Sequence, residues 1–217
     1  MMTKSNNVIV DTGCANLSSV KFAIERLGFT VTITDDIEKI KTADKVIFPG
    51  VGTAKHAMAN IIEKGLVETL QGLTQPVLGF CLGMQLMAES STEGISSTEG
   101  CKETTIDCLG MIPTQVEPLK AQGNRLPHMG WNTLTTVADH PVLKGINVND
   151  YFYFVHSFAA PISEYTLASC KYGSEFSAII SKDNFIGCQF HPERSSALGS
   201  KIIQNFLELE PQELISL

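Results

Sequence analysis

The sequence predicts an α/β protein: an open, mainly parallel sheet flanked by helices, with an antiparallel extension in the second half. Three observations predict it. Short apolar runs alternate with stretches of helical periodicity over residues 7–90, the second half is rich in β-branched and aromatic runs, and no repeat of solenoid period is present. Strand–helix alternation favours a parallel sheet covered on both faces. Successive strand signals joined by short turns favour antiparallel pairing.

The elements follow in order. NVIV (7–10), bounded by Asp11 and Gly13, reads as a buried strand. Leu17, Val20, Ile24 and Leu27 recur at helical spacing, with Asn16 as N-cap and Gly28 as stop. FTVTIT (29–34) and KVIFPG (45–50) are the next strands, and Ala54 to Gly65 carries a second helical pattern. PVLGFC (76–81) is a fourth strand leading into a helix over 82–90. The polar, partly repetitive SSTEGISSTEGCKETT (90–105) reads as a mobile surface loop with no domain boundary. MIPTQVEPL, WNTLTTV, YFYFVHSFAA, YTLASCKY and the pair SAIIS/FIGCQF are strands, with KDN turning the last hairpin. A final helix over 196–208 places Leu198, Ile202 and Phe206 on one face. At 217 residues, one domain over 1–217 is expected.

Composition excludes several classes. The charge of −7 and pI near 5.2 argue against nucleic acid or an anionic membrane as the main partner. The polar N-terminus is neither a signal peptide nor a span, and no apolar run approaches the ~18 residues a membrane helix needs. Six scattered cysteines (14, 81, 101, 108, 170, 188) without secretion signals read as reduced thiols in a cytoplasmic protein. No C-x-x-C or H-x-x-x-H pair occurs, so neither a metal nor another cofactor is expected.

The chemistry begins at GFCLGMQL (79–86). Cys81 there is either a small buried hydrophobe or a nucleophile. G-x-C-x-G over 79–83 has the form of a nucleophile elbow, in which glycines relieve crowding at a sharp strand-to-helix turn. A helix N-terminus favours a thiolate, and the N–H of Leu82 would face an oxyanion formed on an attacked carbonyl. QFHPERS (189–195) tips the balance toward the nucleophile. In extended chain His191 and Glu193 project to one side, and Pro192 biases His191 toward that geometry. Glu193 then orients His191 toward a thiol, the nucleophile–base–orienter set of covalent acyl transfer. FPGVG (48–52) ends the third strand, and an amide of Val51 or Gly52 would be a second oxyanion donor.

CLGMQL around Cys81, PGVG at 49–52 and the terminal H-P-E resemble class I glutamine amidotransferases. DTGCANLSSV, RLPHMGWN (125–132), YFVHSF (153–158) and QFHPERSS (189–196) resemble, more narrowly, the glutaminase subunits of imidazole glycerol phosphate synthase. The likeness spans almost the whole chain, and PHMGWN is its most specific part. It implies a flavodoxin-like fold in which Cys81 attacks the side-chain amide of L-glutamine, His191 is general base and acid, and Glu193 holds its tautomer. It implies substrate contacts at Gln85, one helical turn beyond Cys81, at Glu93, and along His156, Ser157 and Phe158. It also implies a heterodimer: ammonia passes to a (β/α)8-barrel cyclase, a separate chain because 217 residues leave no room for a fused barrel. The products would be imidazole glycerol phosphate and aminoimidazole carboxamide ribotide, in histidine biosynthesis. Candidate docking residues are Asn16, His128, Met129, Trp131, Asn132 and Arg194. Two stretches depart from the family pattern. Thr53, Ala54, Lys55 and His56 lack its aromatic, and Thr12, Cys14, Ala15 and Ser18 stand where it has tyrosine, methionine, glycine and arginine.

Overall fold

The computed structural model describes residues 5–94 and 105–210. Its first half alternates strands and helices: β1 (Asn7–Val10), α1 (Leu17–Arg26), β2 (Val31–Thr34), α2 (Ile37–Lys41), β3 (Lys45–Gly50), α3 (Ala54–Glu63), α4 (Val67–Gln71), β4 (Val77–Cys81) and α5 (Leu82–Leu86). The second half is strand-rich: β5 (Ala88–Ser91), β6 (Ile106–Asp107), β7 (Ile112–Pro118), β8 (His128–Val137), β9 (Tyr151–His156), β10 (Phe158–Ala159), β11 (Thr166–Tyr172), β12 (Ser174–Lys182), β13 (Phe185–Cys188) and the closing helix α6 (Ser196–Glu208).

A nine-stranded sheet runs in the order β2-β1-β3-β4-β13-β12-β11-β8-β9. Neighbouring strands from β2 to β13 pair in parallel, and those from β13 to β9 pair antiparallel. The parallel strands β1, β3 and β4 are buried at every residue, as helices on both faces require. One apolar layer joins Val20 and Ile24 of α1 to Ile202 and Phe206 of α6. The other joins Ala57 and Ile61 of α3 to Leu70 of α4. Asn16 caps α1 as expected, accepting the N–H of Ser19, and Gly28 leaves the helix at φ +87°.

Helices α2 and α4 are not among the expected elements, and one expected element ends early. The helix anticipated over 82–90 stops at Leu86, and Ala88–Ser91 pairs in parallel with β7 inside a second, four-stranded sheet of order β10-β7-β5-β6. The carbonyls that a continuing helix would use are taken by distant amides: Leu109 donates to Leu86, and Met111 and Ile112 donate to Met87, each at 2.9 Å. Local periodicity carries no trace of these partners. Ser90 and Ser91 of the expected loop therefore lie in a strand, and residues 95–104 of it lie outside the described residues.

Parallel pairing of β4 with both β3 and β13 positions the site. Gly50 lies opposite Cys81, and Phe80 lies opposite Cys188. The carboxyl ends of three adjacent strands, and the chain that leaves them, therefore converge at one edge.

Candidate active site

Cys81 ends β4 and caps α5 with φ 50° and ψ −109°, a region L-residues rarely adopt. Such a conformation costs about 1–3 kcal/mol and persists only where its surroundings enforce it. The enforcing contacts are close backbone approaches. A Cβ on Gly83 would fall 1.8 Å from the carbonyl oxygen of Phe48, and one on Gly50 would fall 2.8 Å from the amide of Gly83. The glycines of G-x-C-x-G and FPGVG thus let β3 press against the first turn of α5, which turns the thiol out of the strand.

His191 leaves β13 in extended geometry, and its amide donates to Tyr153 O at 3.0 Å. Ser195 Oγ secures the turn, donating to His191 O at 2.7 Å and accepting from Tyr153 N at 2.9 Å. The Cys81 side chain couples electrostatically to the His191 ring, and its Sγ donates to Val155 O at 3.7 Å. His191 Nδ1 meets Glu193 Oε1 at 2.9 Å, with both side chains at most 10% exposed. Burial pulls the basicity of His191 down, but the hydrogen bonds and negative charges of Cys81 and Glu193 outweigh it and raise its pKa to about 10.

Two residues not singled out from sequence support the site, Gln189 at the Cys81 thiol and Asn60 at the 12–14 turn. Gln189, fully buried, directs Nε2 toward Cys81 Sγ at 3.9 Å, and its Oε1 accepts from Gln85 Nε2 at 3.0 Å. Gln85 Nε2 also donates to Phe158 O at 2.9 Å. A polar residue at the end of an otherwise apolar strand, two positions before His191, was the available signal for Gln189. Asn60 binds Thr12 O at 3.3 Å and Cys14 Sγ at 3.1 Å, and nothing in its helical pattern marked that role.

The other expected residues have partners of their own. The N–H of Val51 donates to Cys14 O at 2.7 Å, so in this conformation it is turned to that carbonyl and not to an oxyanion. Gly52 stands beside it at φ +100°. Glu93 accepts the Ala54 N–H at 2.9 Å, capping α3, and burial raises its pKa. The departures at 53–56 make local sense there, since Thr53 Oγ1 is the N-cap of α3. His156 turns its ring inward, Ser157 O accepts from Leu119, and Phe158 presents its carbonyl to Gln85.

His128 corrects the docking expectation: it is 3% exposed and stacks between Tyr172 and Phe154, so it belongs to the interior. The period of two along β8 is the reason. Met129 and Trp131, 63% and 52% exposed, point outward, and His128 and Asn132 point in. Asn132 is half-buried and donates to Lys171 O at 3.0 Å. Arg194 is exposed and lies over the Tyr153 ring at 4.9 Å, while Trp131 meets that ring edge-on at 6.0 Å. Asn16, Val51, His191, Glu193 and Arg194 line a 170 Å³ cavity. A larger cavity of 710 Å³ lies along residues 137–148, away from these groups.

Among the described residues no cluster of three His, Cys, Asp or Glu could hold a metal, and no helix is long and apolar enough to cross a membrane. A strained thiol, a hydrogen-bonded imidazole and an orienting carboxylate are the parts that covalent acyl transfer requires. The class I glutamine amidotransferase family model matches residues 8–209. "Imidazole glycerol phosphate synthase subunit HisH" of Colwellia psychrerythraea is 77% identical, covering 98% of this chain and 97% of that one. The protein of the same name from Vibrio cholerae is 52% identical over 94% and 98%. Among solved structures, PurLQS of Thermotoga maritima superposes with a TM-score of 0.65 at 17% identity, covering 95% of this chain and 99% of that one, a likeness of fold alone. The chain belongs to the class I glutamine amidotransferases and, within them, to the HisH subunits of imidazole glycerol phosphate synthase.

Proposed function

We propose that this chain, as one domain over 1–217, hydrolyses L-glutamine to glutamate and ammonia and delivers the ammonia to a separate (β/α)8-barrel cyclase subunit. The observation that carries the reading is the strained elbow that presents Cys81 beside a His191 coupled to it and held at 2.9 Å by Glu193. Cys81 Sγ attacks the amide carbon of glutamine as its proton passes to His191, and the carbonyl electrons move onto oxygen. The Leu82 amide meets that oxyanion, joined by an amide of the 51–52 turn once it is released from Cys14. His191 gives a proton to the departing nitrogen, ammonia leaves, and a thioester remains. His191 then takes a proton from water, whose oxygen attacks the thioester, and glutamate departs as the thiol is regenerated. Glu193 keeps Nδ1 protonated throughout. No cofactor enters these steps.

Gln85, Glu93 and the 156–158 segment border the substrate in this reading. Met129, Trp131, Arg194 and Asn16 form the docking edge, where exposed aromatic and cationic side chains adjoin the 170 Å³ cavity. Docking over that edge keeps ammonia from bulk water, where protonation would remove its nucleophilicity. The cyclase uses it to make imidazole glycerol phosphate and aminoimidazole carboxamide ribotide in histidine biosynthesis, in the cytoplasm.

The test is Cys81→Ala in the assembled complex. Glutamine-dependent product formation should vanish while synthesis from added ammonium salt persists. Retention of full glutamine-dependent turnover would overturn the nucleophile assignment.

A further inference from the structure

Two buried histidines outside the triad form a pair whose hydrogen atoms can be placed by elimination. His156 Nδ1 lies 2.8 Å from Phe158 O, and a carbonyl only accepts, so Nδ1 carries the proton. His128 Nδ1 lies 2.9 Å from His156 Nε2. Burial lowers the pKa of both rings, to about 3 for His156 and about 4 for His128, so each is neutral near pH 7. A neutral His156 has a bare Nε2, and His128 must donate to it from Nδ1. His128 Nε2 is then bare in turn, and it faces Asn132 Nδ2 at 3.2 Å. The Asn132 amide is oriented independently: Nδ2 also donates to Lys171 O, and Oδ1 accepts from Thr133 N at 2.8 Å. Every donor in the series points the same way, from Asn132 toward Phe158.

The Phe158 carbonyl is where this series meets the candidate site. Its two acceptor positions are filled by His156 Nδ1 and Gln85 Nε2. The second hydrogen of Gln85 Nε2 goes to Gln189, whose own Nε2 faces Cys81 Sγ. The start of the series lies on β8, where His128 and Asn132 flank the outward-facing Met129 and Trp131.

We propose that His128 is a positioning residue for glutamine hydrolysis: with Asn132 and His156 it forms a one-way, uncharged hydrogen-bond chain that ties the docking strand β8 to the Phe158 carbonyl and so to Gln85 beside Cys81. The proposal rests on the glutaminase reading for its kinetic consequence and on the geometry alone for the chain itself. His128 is carried by β8 while its ring stacks on Tyr172 of β11 at 4.1 Å and Phe154 of β9 at 5.0 Å, so a shift of β8 against β9 moves the ring against these fixed faces and against His156. Loss of the donation to His156 frees the His156 ring whose Nδ1 holds the Phe158 carbonyl, and the Gln85 carboxamide that shares this carbonyl loses part of its fixed orientation.

Long-range ¹H–¹⁵N spectra of the ring nitrogens in the full chain test the chain directly. Both histidines should be neutral at pH 6 with the proton on Nδ1. A ring protonated on Nε2, or charged at that pH, overturns the proposal whatever the enzyme does. The kinetic arm compares His128→Phe, which keeps the ring stack without hydrogen bonds, and His128→Asn, which keeps a donor near the Nδ1 position. In the complex, His128→Phe should raise KM for glutamine about tenfold, with His128→Asn restoring much of it. Equal KM values in wild type and His128→Phe, or equal defects in the two variants, overturn the positioning role. A wild-type complex that hydrolyses no glutamine fails the functional reading instead, and the spectra still decide the chain.

Discussion

His191 and Glu193, two positions apart, share a 2.9 Å contact from Nδ1 to Oε1 inside the turn opened by Pro192. Glu193 Oε2 is buried without a hydrogen-bond partner among the described residues, so the imidazole is the carboxylate's only partner there. The carboxylate therefore sets both the tautomer of the ring and the ease with which it becomes cationic.

Glu193→Gln keeps the size and one acceptor oxygen but removes the charge and allows the amide to donate. Single-turnover glutamine hydrolysis should slow by on the order of 10²–10⁴ while circular dichroism stays native. A loss of less than about threefold would show that Glu193 does not orient the base.

The histidines divide the pH dependence of stability into two limbs. His191 has a folded pKa raised to about 10, so its contribution is complete below its unfolded pKa and is lost as pH rises through about 10. His128 and His156 have folded pKa values lowered to about 4 and about 3, so their contribution is present above the unfolded value and is lost as pH falls toward 3. The thermal midpoint should peak near neutrality. Cys81→Ala removes a partner of His191 and should flatten the alkaline limb, and His128→Phe should flatten the acid limb. Differential scanning calorimetry from pH 4 to pH 10 reads both slopes, and unaltered slopes in the variants would refute the assignments.

Gly83→Ala tests the elbow. The added methyl meets Phe48 O at 1.8 Å, backbone against backbone, with no side chain free to yield. The variant should lose about 3 kcal/mol or more in urea denaturation and should displace Cys81 from its strained conformation. Wild-type stability together with wild-type alkylation of Cys81 would mean that the close approach is not required.

Much of this was legible without coordinates. NVIV, KVIFPG and PVLGFC read as buried parallel strands because unbroken apolar runs match burial on both faces. Cys81, His191 and Glu193 were legible because elbow geometry and the H-P-E turn are short-range devices, encoded within a few residues. The inward turn of His128 was not, since composition does not reveal the phase of a period-two strand. Nor was the early end of α5, which depends on amides from residues 109–112.

By itself, then, the sequence determined the kinds of element, the parts of the proposed triad and the family. Tertiary structure decided which ends met. The register that sets Phe80 beside Cys188, and so His191 beside Cys81, is a pairing between residues more than a hundred positions apart. It also decided that Val51 gives its amide to Cys14 and that Asn132, His128 and His156 align in one direction. The physical reason is range: sterics and side-chain periodicity act between near neighbours, whereas a hydrogen bond takes whichever partner the packed chain brings within about 3 Å.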